Sequence, residues 1–166
     1  MPRVMIGFRQ RFLLGAAACA AMLGYALYSQ FVGGLMPCPL CTFQRGAYAL
    51  LGLVFLLGGL HGPRQFAVRA VYVALALVAA AIGAGIATRH VWLQHLPPDK
   101  VPSCGPDLAY MLDAFPLADV VRRVLTGSGE CAKVDWTFLG LAMPAWSLIG
   151  FCVLAAWAAF GLRRRV

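Results

Sequence analysis

The sequence predicts an all-α integral membrane protein: a four-transmembrane-helix bundle with both termini in the cytoplasm and a short amphipathic helix in a long loop on the opposite side. Composition gives the first reason. Of the 166 residues, 61% are hydrophobic and 12% are charged, whereas soluble domains are about 45–50% apolar and roughly 25% charged. The chain has too little polar surface to cover a water-facing globule, and its length allows a single membrane domain over 1–166.

Four long apolar runs give the second reason. They cover residues 12–32, 42–60, 66–88 and 144–162. Each is close to the roughly 20 helical residues that cross a hydrocarbon core of about 30 Å. In lipid, the backbone N–H and C=O groups find hydrogen-bond partners only in helices or closed barrels. These Leu- and Ala-rich runs lack the alternation of apolar and polar residues that a barrel strand has. We therefore expect four helices.

The distribution of positive charge gives the orientation. The net charge is +8, and the excess lies beside the apolar runs, mainly at Arg3, Arg9, Arg11, Arg64, Arg69, Arg163, Arg164 and Arg165. Arg and Lys favour cytoplasmic loops, so segments 33–41 and 89–143 are expected on the other side. A nucleic-acid-binding protein would gather its basic residues on one face. The expected partner is therefore the lipid bilayer and not nucleic acid.

The first apolar run is expected to remain in the protein as a membrane anchor. Arg9 and Arg11 before an apolar run could begin a cleavable signal peptide. However, the run is as long as a span, and it ends in Ser29, Gln30 and Phe31 without a small-x-small cleavage site.

A short amphipathic helix is predicted within segment 89–143. Apolar residues recur there at the spacing of one helix face: Leu117, Val120, Val121, Val124 and Leu125. Such a helix beside a membrane can lie flat in the interface or pack on the helix ends of its own protein. The sequence leaves both arrangements open.

The six cysteines differ in their settings. Cys19 and Cys152 lie inside apolar runs, where a free cysteine behaves as a small hydrophobic residue, so we expect both to serve packing. The remaining four lie on the side opposite the termini: Cys38, Cys41, Cys104 and Cys131.

The first outer pair, Cys38 and Cys41, forms a Cys-X-X-Cys motif at the start of the second run. Pro37 precedes it, and proline favours the first position of a helix. Cys38 is therefore predicted near the N-cap and Cys41 in the first turn. Thiols at helix N-termini and in such motifs have lowered pKa values and react as thiolates, which predicts a redox-active pair.

Arg45 follows Cys41 by four residues, on the same predicted helix face. A charged residue one turn into a membrane helix is costly and is commonly functional. Its guanidinium could favour a thiolate at Cys41 and hold an oxygen of a bound ligand. The alternative is an arginine that extends to the lipid headgroups.

Cys104 and Cys131 form the second outer pair, in a compartment where disulfides persist. Taken alone, this pair predicts a structural disulfide that closes the loop. Four cysteines on one side could also bind zinc, but the second pair lacks short ligand spacing, so no metal is expected. Two pairs on one face instead suggest a relay, in which each exchange passes two electrons through a mixed disulfide.

A thiol relay needs an electron acceptor. The sequence has no haem-attachment motif, no Gly-rich dinucleotide loop and no iron–sulfur spacing. The remaining two-electron acceptor that dissolves in a membrane is a quinone, so elimination favours a quinone as the cofactor.

The chain resembles the disulfide bond formation protein B (DsbB) family of Gram-negative bacteria over essentially its whole length. The resemblance rests on Pro-Cys-Pro-Leu-Cys-Thr-Phe-Gln-Arg at 37–45, on His90 and Gln94 before Cys104, and on two later motifs: Gly-Glu-Cys-Ala at 129–132 and Trp-Thr-Phe-Leu-Gly-Leu-Ala-Met-Pro at 136–144. It implies a thiol:quinone oxidoreductase of the bacterial inner membrane whose active cysteines face the periplasm.

The resemblance also implies roles for the four outer cysteines. Cys104 would form a mixed disulfide with a DsbA-like periplasmic thiol oxidase, a soluble thioredoxin-like partner. Cys131 would exchange with Cys38, and Cys41 would then face the quinone as a thiolate.

For the quinone, which would be ubiquinone or menaquinone from the membrane pool, the resemblance implies three binding residues. Arg45 would bind a quinone oxygen, and His90 and Gln94 would line the site.

Two other interpretations stay open at this point. The vitamin K epoxide reductase family also combines a membrane bundle with a Cys-X-X-Cys motif, although its active pair belongs near a late helix. A non-catalytic membrane scaffold could use its disulfides only to brace its loops. Bound quinone in the purified protein would distinguish an oxidoreductase from a scaffold.

Overall fold

The computed structural model describes residues 7–103, 108–134 and 136–162. Its long helices are α1 (Phe8–Phe31), α2 (Pro39–His61) and α3 (Phe66–Gln94). Shorter elements follow: a 3₁₀ turn (Pro98–Lys100), α4 (Leu108–Ala114), α5 (Leu117–Thr126), α6 (Gly129–Ala132), strands β1 (Thr137–Phe138) and β2 (Leu141–Ala142), α7 (Met143–Ala159) and a closing 3₁₀ turn (Phe160–Leu162).

Four helices are long and apolar enough to cross a membrane: α1, α2, α3 and α7 with its closing turn. Their most apolar stretches have mean hydropathies from 1.5 to 2.3. The predicted four-helix membrane bundle is therefore confirmed, and the chain is a multi-pass membrane protein.

The bundle is held by close packing around aromatic side chains. α1 packs on α2, α2 on α3, and α3 on α7, around a core that includes Phe12, Phe55 and Phe151, which are fully buried. Small residues let the helices approach. A Cβ built at Gly83 would lie only 2.3 Å from the Phe151 ring, and such small residues are typical of helix contacts in lipid, where van der Waals packing drives association.

A second apolar cluster closes the end of the bundle that carries the Cys-X-X-Cys motif. Val120 and Val124 of α5 pack there with Leu40 of α2 and Leu93 of α3. α5 confirms the predicted amphipathic helix. Its valines pack on the protein's own helix ends, while Leu117 remains 69% exposed and is free to face the membrane interface.

Three helices extend by three or more residues beyond the apolar runs that predicted them, and the first of them, α1, begins at Phe8, four residues before its run. α2 begins at Pro39, three residues before the run, so the proline at its first turn is Pro39 and not Pro37. α3 continues six residues past the run and ends at Gln94. Hydropathy reports the part of a helix that suits lipid, whereas this last turn is held by protein: Arg89 donates to the carbonyl oxygens of Leu125 and Thr126 at 3.1 and 2.9 Å.

A small hairpin that the sequence did not predict leads into α7. β1 and β2 pair antiparallel, and their turn places Leu139 and Gly140 at φ 50° and 77°. The indole N–H of Trp146 donates to the carbonyl oxygen of Phe138 at 3.0 Å. The hairpin thereby fixes how the chain enters its last membrane helix.

Candidate active site

The Cys-X-X-Cys motif forms the N-terminus of α2. Cys38 is the N-cap residue, and its sulfur accepts a hydrogen bond from the backbone N–H of Cys41 at 3.4 Å. Pro39 follows at the first helical position, where its missing N–H costs nothing. The two sulfurs lie 3.3 Å apart. The predicted positions of both cysteines are confirmed.

Cys131 reaches the same place from a different part of the chain. It lies on α6, is 1% exposed and belongs to the apolar cluster that includes Leu40 and Leu93. Its sulfur, the Cys38 sulfur and a ring nitrogen of His90 all lie within 4.8 Å of one another. The five cysteines that the structure describes are thiols. Cys104 lies outside the described residues.

His90 is buried beneath these thiols, with 2% of its surface exposed. Its Nε2 lies 3.1 Å from the carbonyl oxygen of Cys131 and 3.7 Å from the sulfur of Cys38. Its Nδ1 lies 3.1 Å from Nε2 of Gln44. A carbonyl oxygen only accepts, so this network assigns the proton to Nε2 of His90 and makes Nδ1 the acceptor of an N–H from Gln44. The single N–H of the imidazole therefore bonds the Cys131 carbonyl oxygen and lies beside the Cys38 sulfur.

The hydrogen bonds between the thiols decide which sulfur keeps its proton. Hydrogen bonds to Cys131 and Cys41, followed by burial, raise the pKa of Cys38. The hydrogen bond from Cys38 lowers the pKa of Cys131 to about 5; burial opposes this shift, and the backbone amides of Leu40 and Ser128 support it. In the reduced site these bonds favour the proton on Cys38 and the thiolate form of Cys131.

Arg45 lies at the margin of this cluster and ties α2 to α1. Its guanidinium is partly buried and donates to the side-chain oxygen of Gln30 and, at 3.0 Å, to the carbonyl oxygen of Ala26. These bonds occupy two of the five N–H donors of an arginine. Arg45 is thus held by protein groups, with donor capacity left beside the helix face that carries Cys41.

Gln94 lies one turn beyond His90, at the end of α3. Its side-chain amide donates to the carbonyl oxygen of Lys133 at 3.5 Å, just after α6. The structure therefore brings Cys38, Cys41, Cys131 and His90 together. Arg45 and Gln94 each lie one helical turn away, beyond Cys41 on α2 and beyond His90 on α3. That Arg45, His90 and Gln94 bind a quinone stays a prediction.

Sequence reasoning missed Gln44, which is 5% exposed and holds the far side of the His90 ring. Its sequence signal was a polar residue one turn into an apolar helix, next to Arg45. Gln30, which accepts from Arg45, gave a similar signal at the end of α1.

The two remaining cysteines lie in the membrane-spanning helices, away from this site. Cys19 is fully buried in the bundle core, and a Cβ built at Gly52 would lie 3.0 Å from its Cβ. Cys152 is exposed on α7, on a helix long and apolar enough to face lipid.

A four-helix membrane bundle whose end gathers three thiols around a buried histidine defines a membrane protein with a thiol redox centre. The family model described as Disulfide bond formation protein DsbB matches residues 8–161. The chain belongs to this family, and its role is in disulfide bond formation. The match sets aside the vitamin K epoxide reductase interpretation.

Individual relatives agree with the family model. The chain is 53% identical to Disulfide bond formation protein B of Xanthomonas campestris pv. campestris over 160 residues, which cover 96% of this chain and 93% of the relative. It is 55% identical to the protein of the same name from Methylococcus capsulatus, over 90% of this chain and 91% of the relative. The chain is 53% identical to the Chromohalobacter salexigens protein of the same name, over 88% of this chain and 85% of the relative.

Proposed function

We propose that the protein is a thiol:quinone oxidoreductase of the bacterial inner membrane, with its cysteine cluster on the periplasmic side. It reoxidises a DsbA-like dithiol oxidase and passes the electrons to ubiquinone or menaquinone. One observation carries the proposal: the Cys38 sulfur lies between two other thiols, 3.3 Å from Cys41 and within 4.8 Å of Cys131. A central sulfur with two neighbours can exchange one disulfide partner for the other.

The exchange step follows from this arrangement. In the oxidised enzyme Cys38 and Cys41 form a disulfide. A Cys131 thiolate attacks the Cys38 sulfur, a new Cys131–Cys38 bond forms, and the Cys38–Cys41 bond breaks, so Cys41 leaves as a thiolate. Cys38 has no S–H to donate while it is in the disulfide, but the backbone hydrogen bonds of Leu40 and Ser128 also lower the pKa of Cys131 and support its role as the nucleophile, since the thiolate is the attacking species.

Electrons enter the cycle at Cys104. The partner's dithiol attacks a Cys104–Cys131 disulfide at Cys104 and releases Cys131 as the thiolate that the exchange step needs. A backbone bond supports this link between the two segments, because the N–H of Gly129 donates to the carbonyl oxygen of Ser103 at 3.4 Å. Over a full cycle one dithiol becomes a disulfide and one quinone becomes a quinol.

His90 acts on the exchange step through its Nε2–H. The ring nitrogen lies 3.7 Å from the Cys38 sulfur, so the imidazole can stabilise negative charge as the S–S bonds rearrange. A buried donor is most effective there, because electrostatic interactions strengthen where water is excluded.

The face of α2 that follows Cys41 fits a flat ring with polar oxygens. Thr42 and Gly46 are exposed on this face, and a Cβ built at Gly46 would meet no described atom within 4 Å beyond its chain neighbours and the backbone of its own helix. Arg45 stands at its edge with donor capacity for an oxygen. A quinone bound here would supply a two-electron, two-proton acceptor next to Cys41.

The test is quinone reduction by the purified full-length protein, with a reduced DsbA-like partner as electron donor. We expect turnover with added quinone and quinone that copurifies in stoichiometric amount. Cys41→Ala should abolish quinone reduction while the partner is still trapped at Cys104. Cys152→Ala is the matched control and should keep full turnover. A protein without bound quinone or quinone reduction would be a scaffold, and the proposal would be wrong.

A further inference from the structure

Three metal-ligating groups converge in the reduced site. The sulfurs of Cys38 and Cys131 and a ring nitrogen of His90 lie within 4.8 Å of one another, and Cys131 and His90 are buried. They come from three different elements, since Cys38 caps α2, His90 lies on α3 and Cys131 lies on α6. The fold, and not the local sequence, assembles this donor set.

One distance in this group already suits a tetrahedral zinc ion, and the others lie within about 1 Å of that geometry. Zinc binds sulfur at about 2.3 Å and imidazole nitrogen at about 2.0–2.1 Å, so ligand atoms around it stand about 3.6–3.8 Å apart. The distance from Cys38 Sγ to His90 Nε2 is 3.7 Å. The Cys41 sulfur, 3.3 Å from that of Cys38, is the nearest group for the fourth position. Small side-chain adjustments complete the geometry.

The surroundings also match those of a zinc site. A histidine ligand usually donates its second ring N–H to a neighbouring acceptor, and Gln44 lies 3.1 Å from Nδ1 of His90. Rotation of the Gln44 amide would present its oxygen to that N–H. The thiols also have amide donors: the N–H of Cys41 bonds Cys38 at 3.4 Å, and the backbone of Leu40 and Ser128 bonds Cys131.

We propose that the fully reduced site binds a thiophilic divalent cation, with Zn²⁺ as the best match, through Cys38, Cys131 and His90. The ion inhibits the protein and is not a resident cofactor. It takes up the thiolates that exchange requires, and it cannot bind once Cys38 has entered a disulfide. The inhibition rests on the proposed function, whereas metal binding requires only that the thiols be reduced together.

The test uses Co²⁺ as a spectroscopic probe on the full-length protein, reduced without oxygen and freed of reductant. We expect one equivalent to give a sulfur-to-cobalt charge-transfer band and the visible bands of tetrahedral Co²⁺, both removed by Zn²⁺. Cys38→Ser, Cys131→Ser and His90→Gln should each lose the tetrahedral signal. Gln44→Leu should weaken binding by about 10–100-fold.

Three controls locate the site. Cys19→Ala, Cys152→Ala and Cys104→Ala should each keep the spectrum. Octahedral Co²⁺ alone, or a spectrum that survives Cys38→Ser in a protein of unchanged helix content, would overturn the proposal. Loss of the spectrum in Cys104→Ala would overturn it too, because the ion would then belong to the other cysteine pair.

An activity measurement on the same preparation separates this proposal from the proposed function. Quinone reduction is first measured without metal. Zn²⁺ added to the reduced protein should then stop turnover, and a chelator should restore it. A tetrahedral Co²⁺ spectrum without quinone reduction would contradict the proposed function and leave the metal site standing. Normal quinone reduction with no Co²⁺ binding would contradict the proposed metal site and leave the proposed function standing.

Discussion

The chemistry of His90 depends on a single neighbouring amide. Gln44 is buried, and its N–H meets Nδ1 of His90 at 3.1 Å. This contact leaves the ring proton on Nε2, which lies 3.1 Å from the carbonyl oxygen of Cys131 and next to the thiols. Gln44 has no bond to a sulfur, yet it determines which ring nitrogen of His90 carries the proton beside the thiols.

Gln44→Leu should therefore slow exchange between Cys131 and Cys38 without preventing capture of the partner at Cys104. The imidazole loses the donor that fixes its tautomer, and a buried nitrogen is left unpaired at a cost of about 1–3 kcal/mol. We expect about 10-fold slower exchange, against about 10²-fold for His90→Ala. Imidazole ¹⁵N shifts of His90 should report a mixed tautomer in Gln44→Leu. An unchanged tautomer would contradict the assigned role.

Arg45 has two tasks that variants can separate. It bonds Gln30 and the Ala26 carbonyl on α1, and it lies one turn beyond Cys41. Reduction of a quinone builds negative charge on its oxygen, which a guanidinium stabilises more in the transition state than in the ground state. Arg45→Ala should cost about 10²–10³ in the rate of quinone reduction.

The matched variants for this prediction are Arg45→Lys and Gln30→Leu. Lysine keeps the charge without the planar fork, so its loss should be smaller than that of Arg45→Ala. Gln30→Leu removes one bond to α1 and keeps the guanidinium, so quinone kinetics should change little. Rates are followed across quinone concentrations, alongside mixed-disulfide formation at Cys104, which should persist in all three variants. Normal quinone kinetics in Arg45→Ala would mean that Arg45 only holds α2 to α1.

At the scale of elements, the end of α5 positions Cys131. α5 ends at Thr126, and its C-cap residue Gly127 has φ 87° and ψ 157°, in a region that essentially only glycine adopts. A Cβ there would also lie 2.3 Å from a side-chain carbon of Leu93. The chain turns at this residue into α6, so the contact between Gly127 and Leu93 of α3 helps to hold Cys131 near Cys38.

Gly127→Ala should consequently lower both stability and activity. Backbone strain of this kind costs about 1–3 kcal/mol, and the clash with Leu93 would displace α6. We expect a lower midpoint of thermal unfolding in detergent and slower exchange at Cys131. Gly140→Ala is the matched control: Gly140 also has a positive φ, of 77°, but a Cβ built there would meet no described atom within 4 Å beyond its two chain neighbours. Equal effects of the two substitutions would mean that Gly127 has no special role.

The helices were predictable from the sequence, whereas most contacts of the site were not. Apolar length alone predicts four spans, and the position of Cys38 at the N-cap follows from the motif and its prolines. Gln44 and His90 are 46 residues apart, and no periodicity indicates that their side chains meet. The last turn of α3 was not predicted because the apolar run ends at residue 88. The helix continues to Gln94, where contacts with α5 hold it.

At the scale of the whole molecule, the orientation remains a prediction from the arginines, and labelling can test it. Met36 lies between α1 and α2 and is 85% exposed, whereas Gln65 is an exposed residue between α2 and α3. The two positions lie at opposite ends of α2. In a background with the six native cysteines replaced by alanine, a membrane-impermeant maleimide should label Met36→Cys in cells with a permeabilised outer membrane. Gln65→Cys should react only after the inner membrane is opened, because basic loops are retained in the cytoplasm. The reverse pattern would place the thiol cluster in the cytoplasm, where disulfides are rare, and would remove the basis for a periplasmic partner.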